Sequence, residues 1–347
     1  MGSDVQTAIE QKFGKAQGKV LLIGGSGYIG TVVTTDLLGK GYAVRNLDAH
    51  LYQNDAAAMS FVSHPDYEFV YGDLCDPATL DKALEGVTDV VFLAGLVGDP
   101  ITKKFPSESE AINDKGVKAA IDSLNGRGLA NVLFISTCSN YGLIKSDELA
   151  DENFELNPLS SYARDKVGAE LHIMSKKGET DYSPTVLRFA TAFGISPRMR
   201  YDLTVNEFTR NLWLDEELLV FDADTWRPYC HVRDFARLIR RVMEMSDDRS
   251  KFEVFNAGGE ENNATKQMIL DRIKKRLPNA KITYQEKGSD PRNYRVDFSK
   301  VAEKMLFTPA FDLDDGIDEI INAHERGMFR GAGSALPPLG NYELNYG

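Results

Sequence analysis

From Lys19 the apolar positions fall into short blocks, each followed by a longer stretch in which they recur every three or four residues. "KVLLIG" at 19–24 reads as a buried strand, a glycine turn follows, a helical run extends to about Lys40, and "YAVRNLD" ending at Asp48 is a second strand. The same alternation continues with strands at 67–72, 89–95, 131–138 and 183–193, separated by helical stretches at 76–85, 107–126 and 160–177. Strands alternating with helices require crossovers, and crossovers require a parallel sheet covered on both faces. The pattern therefore predicts an α/β chain with a doubly wound parallel sheet of at least six strands. After Gly194 the texture becomes richer in arginine and aromatics, which predicts a smaller α+β lobe interleaved with the last elements of the sheet domain.

This gives an N-terminal extension at 1–18, a sheet domain at 19–193 with a returning segment around 229–258, a lobe built from 194–228 and 259–330, and a Gly/Pro-rich tail at 331–347. A chain of 347 residues is long enough for two lobes with a cleft between them.

Composition narrows the partners. With 40 Lys and Arg against 52 Asp and Glu the net charge is −12, which opposes nucleic-acid binding. No apolar run is long enough for a bilayer, and the first twenty residues hold no signal-peptide core, so a soluble cytoplasmic protein is expected, without membrane partners. Cys75, Cys138 and Cys230 are odd in number and far apart, as free thiols in a reducing compartment would be. The five histidines, among them His50, His64, His172 and His231, show no ligand spacing, and no metal site is expected.

The first candidate site is "LLIGGSGYIG", where Gly24, Gly27 and Gly30 stand between a strand and a helix. Glycine permits a tight turn and close backbone approach, and the helix N-terminus offers N–H groups to a pyrophosphate. Eighteen residues past Gly30, Asp48 ends the second strand, where a carboxylate accepts hydrogen bonds from a ribose diol and repels a 2′-phosphate. Strand alternation puts Arg45 on the opposite face, so NAD is expected rather than NADP. Asp73, after the third strand, suits either an adenine amino group or a helix cap.

The second is "SSYARDKVGAE" at 160–170. Tyr162 and Lys166 are four apart on a helix and share one face. An ammonium beside a phenol favours the phenolate, so a group normally near pKa ~10 can exchange protons nearer neutrality. Thr137, in "FISTCSNYG" at a strand's carboxyl end, is placed to orient a substrate oxygen. Taken alone the Tyr/Lys pair is a weak signal; the glycine turn ahead of it is what gives it weight.

Together these residues resemble the extended short-chain dehydrogenase/reductases, in their nucleotide-sugar epimerase/dehydratase branch, over about 19–321. Gly24, Gly27 and Gly30 match the glycine pattern, with Ile23 replacing the usual Thr; "FLAG" at 92–95 resembles the family's H-x-A-[AG]; Asn113 matches its structural asparagine; "STCSNYG" resembles its S-[ST]-S-x-x-Y-G; and Tyr162 and Lys166 match its Tyr-x-x-x-Lys. The resemblance implies a Rossmann domain whose NAD site includes Tyr28, Ile29, Leu74, Leu93, Ala94, Gly95, Asn113, Tyr162 and Lys166 with the residues already named. It implies Thr137, Tyr162 and Lys166 as catalytic residues, Lys166 also bonding the nicotinamide ribose. A nucleotide-diphosphate sugar would be held by Thr137, Ser139, Thr191, Asn206, Arg227 and Arg292, with Arg295 as substitute for Arg292, and a homodimer is implied as well.

Sugar 4,6-dehydratases carry Asp-Glu after the catalytic Thr; Cys138 and Ser139 stand there in this chain, which disfavours dehydration, and Cys138 reads as packing. Thr191 stands where several relatives have Asn, and Val97 lies near the place of a cofactor-contacting Lys in some 4-epimerases. The expectation is an NAD-dependent epimerase acting at C4 through a transient keto-sugar. A net 4-dehydrogenase or keto-sugar reductase is the alternative, and a non-catalytic NAD-sensing or scaffold protein is a reading of another class. Thr265 is expected to cap the helix that follows it, and the acid-rich stretch at 146–158 to be a solvated loop or a substrate lid.

Overall fold

The structure is a computed structural model, and it describes residues 18–52, 54–145, 148–245, 248–286, 288, 292–329 and 339–344. The expected extension at 1–17, most of the tail and residues 146–147 of the acid-rich stretch lie outside the described residues.

In chain order the first half runs β1 (Lys19–Ile23), α1 (Tyr28–Gly39), β2 (Ala43–Asp48), α2 (Asp55–Met59), β3 (Tyr67–Tyr71), α3 (Pro77–Leu84) and β4 (Asp89–Phe92). There follow α4 (Asp99–Lys104), α5 (Pro106–Ser109), a π-helical turn (Glu110–Gly116), α6 (Val117–Asp122), β5 (Asn131–Thr137), α7 (Ser161–Ser175) and β6 (Pro184–Phe189). The second half holds β7 (Thr191–Phe193), α8 (Thr204–Trp213), β8 (Leu218–Phe221), β9 (Trp226–His231), α9 (Val232–Glu244), β10 (Glu253–Ala257), β11 (Asn263–Thr265), α10 (Lys266–Arg276), β12 (Ile282–Gln285), α11 (Ser299–Met305) and α12 (Leu313–Glu325).

Seven strands form the main sheet in the order β10-β6-β5-β4-β1-β2-β3, and every pairing is parallel. The strands are apolar on both faces because both are covered. In β1, Val20 and Leu22 join the apolar cluster containing Val33, Leu37, Phe235 and Ile239, while Leu21 and Ile23 join the opposite cluster with Phe92, Ile121 and Ile173. Full burial of each such side chain is worth about 1.5–3 kcal/mol, so the alternation fixes the register of β1 between its neighbours. Chain order reverses between β1 and β4, and crevices in open α/β sheets form at such a reversal.

The expected strand at 183–193 is split. Ala190 donates its N–H to Ala257 O, after which β7 leaves the main sheet to pair with β9, whose other edge pairs with β11. Thr191 thus belongs to the small sheet. Further along the chain α9 packs on α1, with Arg240 paired to Asp36, and β10 extends the sheet beside β6. The expected helix at 107–126 begins at Pro106, widens into the π-helical turn and ends at Asp122. A separate cluster of Val205, Phe208, Leu212, Tyr229, Ile269, Leu270, Ile317 and Ile321 forms the core of the lobe. Thr265 caps α10 as expected, accepting from Met268 N. Among the described residues no helix is long and apolar enough to cross a membrane.

Candidate functional site

Two cavities meet at the reversal between β1 and β4. The first is lined by the turn after β1 (Gly24, Gly27, Tyr28, Ile29, Gly30), by Asp48, Asp73 and Leu74, and by Leu93, Ala94 and Gly95 after β4. Gly24 has φ +89°, and a Cβ there would stand 2.7 Å from the Ala94 backbone. At Gly30 a Cβ would come within 2.6 Å of Gly25, so the helix can pack against its own turn only as glycine. Gly27 differs, since the nearest protein atom to a Cβ there is Gly24 O at 3.4 Å. Nothing inside the protein requires glycine at that position; a ligand approaching the backbone does. Gly27 also caps α1 without a side-chain hydrogen bond, and the first turn carries no acid, so its N–H groups and partial positive charge face the cavity.

Asp48 is held in place by its own loop. Oδ2 accepts from Ser26 N at 2.9 Å, and Oδ1 from His50 N at 2.9 Å and Asn54 Nδ2 at 3.4 Å. A carboxylate has about four acceptor positions, so one remains for a ribose hydroxyl. Arg45 does lie away from it, paired with Glu68. Asp73 is not a helix cap: it accepts from Cys75 N, and Asp76 caps α3. An anion-accepting turn, a diol-accepting carboxylate and a second acid beyond it are the parts that a dinucleotide requires, and the residues fit NAD.

The second cavity shares Ile29, Leu93, Val97, Arg200 and Asn341 with the first. Thr137, Ser139, Tyr162, Lys166, Thr191, Arg227 and Arg292 all line it. Thr137 ends β5, and its Oγ1 accepts from Ser139 N at 3.1 Å, which leaves the hydroxyl proton free to point into the cavity. Ser160 caps α7 by accepting from Ala163 N, which puts Tyr162 in the first turn of that helix and Lys166 one turn on. Lys166 is 7% exposed, and its ammonium donates to Ile135 O at 2.9 Å and lies over the Phe134 ring. Burial pulls its pKa from 10.5 down to about 8, with Asp165 opposing.

Beneath these groups Glu170 of α7 pairs with Arg188 of β6, both buried, and accepts from Ser136 Oγ at 3.0 Å. The helix carrying the Tyr/Lys pair is thereby tied to the strands beside it. Cys138 is buried, donates to Arg188 O, and has its thiol pKa pushed up by burial, so it supplies neither acid nor nucleophile. The Arg227 guanidinium lies over the Tyr294 ring and donates to the Trp226 and Arg292 carbonyls. Arg295 lies over Trp226, and Arg292 is the arginine that reaches the cavity.

Two of the expected ligand residues make hydrogen bonds inside the protein. Asn206 is fully buried: it accepts from Gly194 N and donates to Arg200 O and to Tyr28 Oη, while Tyr28 donates to Gly194 O. It locks the 194–200 loop to the first turn of α1. Asn113, in the π-helical turn, accepts from Leu96 N and donates to Leu96 O, so it shapes the loop after β4 and Ile112 faces the cavity. In the acid-rich stretch Asp151, Asn153, Glu155 and Asn157 are exposed, while Ala150 bridges to Val296 and Glu152 accepts from Asn256 N.

Sequence reasoning missed Arg198, Arg200, Asp202, Tyr294, Asn341 and Tyr342, all of which line a cavity. The sequence "PRMRYD" held the signal for the first three, two arginines and an acid spaced two apart; the C-terminal pair had none. Among the described residues no group of three His, Cys, Asp or Glu is placed to hold a metal.

Comparison with known proteins agrees with this arrangement. The family model described as "NAD dependent epimerase/dehydratase family" matches residues 20–258, more than half of the chain. A dTDP-glucose 4,6-dehydratase of Streptomyces griseus is 26% identical over 307 residues, covering 86% of this chain and 91% of that protein. A UDP-glucose 4-epimerase of Corynebacterium glutamicum is 25% identical over 309 residues, covering 84% and 91%. The fold is shared with the UDP-glucuronic acid 4-epimerase of Bacillus cereus, solved with UDP-glucuronic acid and NAD, at a TM-score of 0.79 and 22% identity, covering 89% of this chain and 99% of that one. The turn, the acid after β2 and the Tyr/Lys pair occur in their order within the matched span, and the chain belongs to the NAD-dependent epimerase/dehydratase family of enzymes.

Proposed function

We propose that the protein is an NAD-dependent epimerase of a nucleotide-diphosphate sugar, acting at C4 through a transient keto-sugar. One observation carries the reading: Thr137, Tyr162 and Lys166 line one cavity with Arg227 and Arg292, and that cavity shares a wall with the dinucleotide cleft. NAD held in the first cavity would supply the hydride-transfer chemistry. Thr137 donates its free hydroxyl proton to the sugar oxygen and holds it beside Tyr162, which takes the hydroxyl proton as oxidation proceeds. Lys166 keeps positive charge beside the phenolate and, within reach of the cofactor cleft, bonds the nicotinamide ribose. Arg227 and Arg292 grip the diphosphate, for which a guanidinium fork is suited.

Epimerisation is favoured over dehydration because removal of water across C5 and C6 needs an acid and a base beside Thr137, and Cys138 and Ser139 offer neither. The relatives include both kinds of enzyme, so this pair of positions is what discriminates. The assay is incubation of the purified protein, without added cofactor, with a panel of nucleotide sugars, products being resolved by NMR. Interconversion of C4 epimers with no net reduction of NAD supports the reading. Net NAD reduction identifies a 4-dehydrogenase, and a 6-deoxy-4-keto product a dehydratase. Two copies are proposed to associate through α6 and α7, where Leu171 is 61% exposed, and sedimentation reads that directly.

A further inference from the structure

Residues 339–344 run along the line where the two cavities meet. Two bonds tie them to the loop after β7: Tyr201 N donates to Leu339 O at 2.7 Å and Arg198 Nη2 to Gly340 O at 3.0 Å. Two contacts tie them to the segment after β4, Asn341 Nδ2 donating to Val97 O at 3.4 Å and Glu343 pairing with Lys104 at 2.5 Å, and Leu344 packs against the apolar cluster of the large domain. Asn341 is 8% exposed and lines both cavities; Tyr342 lines the second. An element bonded to both banks of a cleft and forming part of its lining is seated only while both banks are in register.

Arg198 adds a second, independent observation. It lies over the Tyr52 ring in the first cavity and makes no ion pair among the described residues, whereas its neighbour Arg200 is paired with Asp202. A buried guanidinium held by one main-chain carbonyl is poorly compensated, and burial with the nearby Arg200 lowers its pKa to about 10. An anion in the cleft would supply the missing charge.

We infer that residues 339–344 are a strap belonging to the cofactor site, seated through Arg198 and Asn341, which retains the pyrophosphate-bearing dinucleotide between the two banks. The strap is linked to occupancy: the anion compensates Arg198, Arg198 fixes Gly340, and the fixed strap slows departure of the ligand. This rests on NAD as the cofactor and not on which sugar reaction follows. Retention suits an enzyme that must keep its cofactor between removing and returning a hydride.

The test is the NAD dissociation rate, measured by competition after dilution, for the full chain and for a chain ending at residue 338. At least tenfold faster release is expected from the shortened chain, and severalfold faster release from full-length Asn341→Ala, which remains informative if the truncation fails to fold. Carboxypeptidase digestion of the full chain should slow when NAD is added. Release rates within twofold of one another in all three proteins, or digestion unaffected by NAD, overturn the strap. A full chain that binds no NAD overturns the cofactor reading beneath it, and the strap with it.

Discussion

Lys166 gives the sharpest test of the site's electrostatics, because its ammonium is buried and its bond goes to a neutral carbonyl. A pKa lowered from 10.5 to about 8 corresponds to about 3 kcal/mol held against the folded state at neutral pH, at ~1.4 kcal/mol per pH unit. The sign follows from proton counts. Between pH 8 and 10.5 the unfolded chain keeps the proton that the folded chain has released, so stability rises with pH across that window and the gain is lost again as pH falls through 8. Replacement by methionine removes the titration and keeps most of the volume. Loss of the bond to Ile135 O lowers stability by an amount that does not vary with pH, so the comparison uses slopes. From pH 7 to 9.5 the wild type should gain about 2 kcal/mol on Lys166→Met. A chain of 347 residues has an unfolding entropy of ~0.7 kcal/mol/K, so the two melting temperatures should converge or diverge by about 3 °C. Running both in a Tyr162→Phe background removes the phenol from the comparison. Parallel melting curves across that range would refute the claim that this amine is desolvated without a compensating charge.

The remaining expectations concern single positions. Tyr162→Phe should lower turnover about 10²–10⁴-fold with NAD affinity retained, read by steady-state kinetics and calorimetry; near-normal turnover would remove the phenol from proton transfer. Gly30→Ala should destabilise by about 1–3 kcal/mol in a thermal melt because its Cβ meets Gly25, whereas Gly27→Ala should melt nearly as wild type yet bind NAD at least tenfold more weakly. Equal effects of the two would contradict the division between packing and ligand approach. Glu170→Gln leaves Arg188 buried without its partner and should lower stability by about 3–5 kcal/mol, while a double replacement of Glu170 and Arg188 by apolar residues should recover most of it.

The large sheet was legible because strands covered on both faces read as unbroken apolar blocks, and β1, β4 and β5 do so. The glycine turn and the Tyr/Lys pair were legible because each lies within one element, where chain spacing sets spatial spacing. What failed to show were contacts between elements distant in sequence. Asn206 bonds Gly194 and Tyr28, which lie 12 and 178 residues away, and no local pattern announces either partner. The split at Ala190 was hidden because Phe189 and Thr191 both suit strands, and only pairing with Ala257 on one side and Tyr229 on the other separates them. Asn341 reaches Val97 across 244 residues from a stretch rich in glycine and proline, where local pattern carries no information about destination.

The Glu170–Arg188 pair, with Ser136 hanging from it, ties the helix that carries Tyr162 and Lys166 to the interior of the large domain rather than to the lobe. Reactivity and recognition therefore stand on separate foundations. In the proposed reaction, substitutions around Arg227 and Arg292 would alter sugar binding without disturbing the Glu170–Arg188 anchor beneath Tyr162 and Lys166.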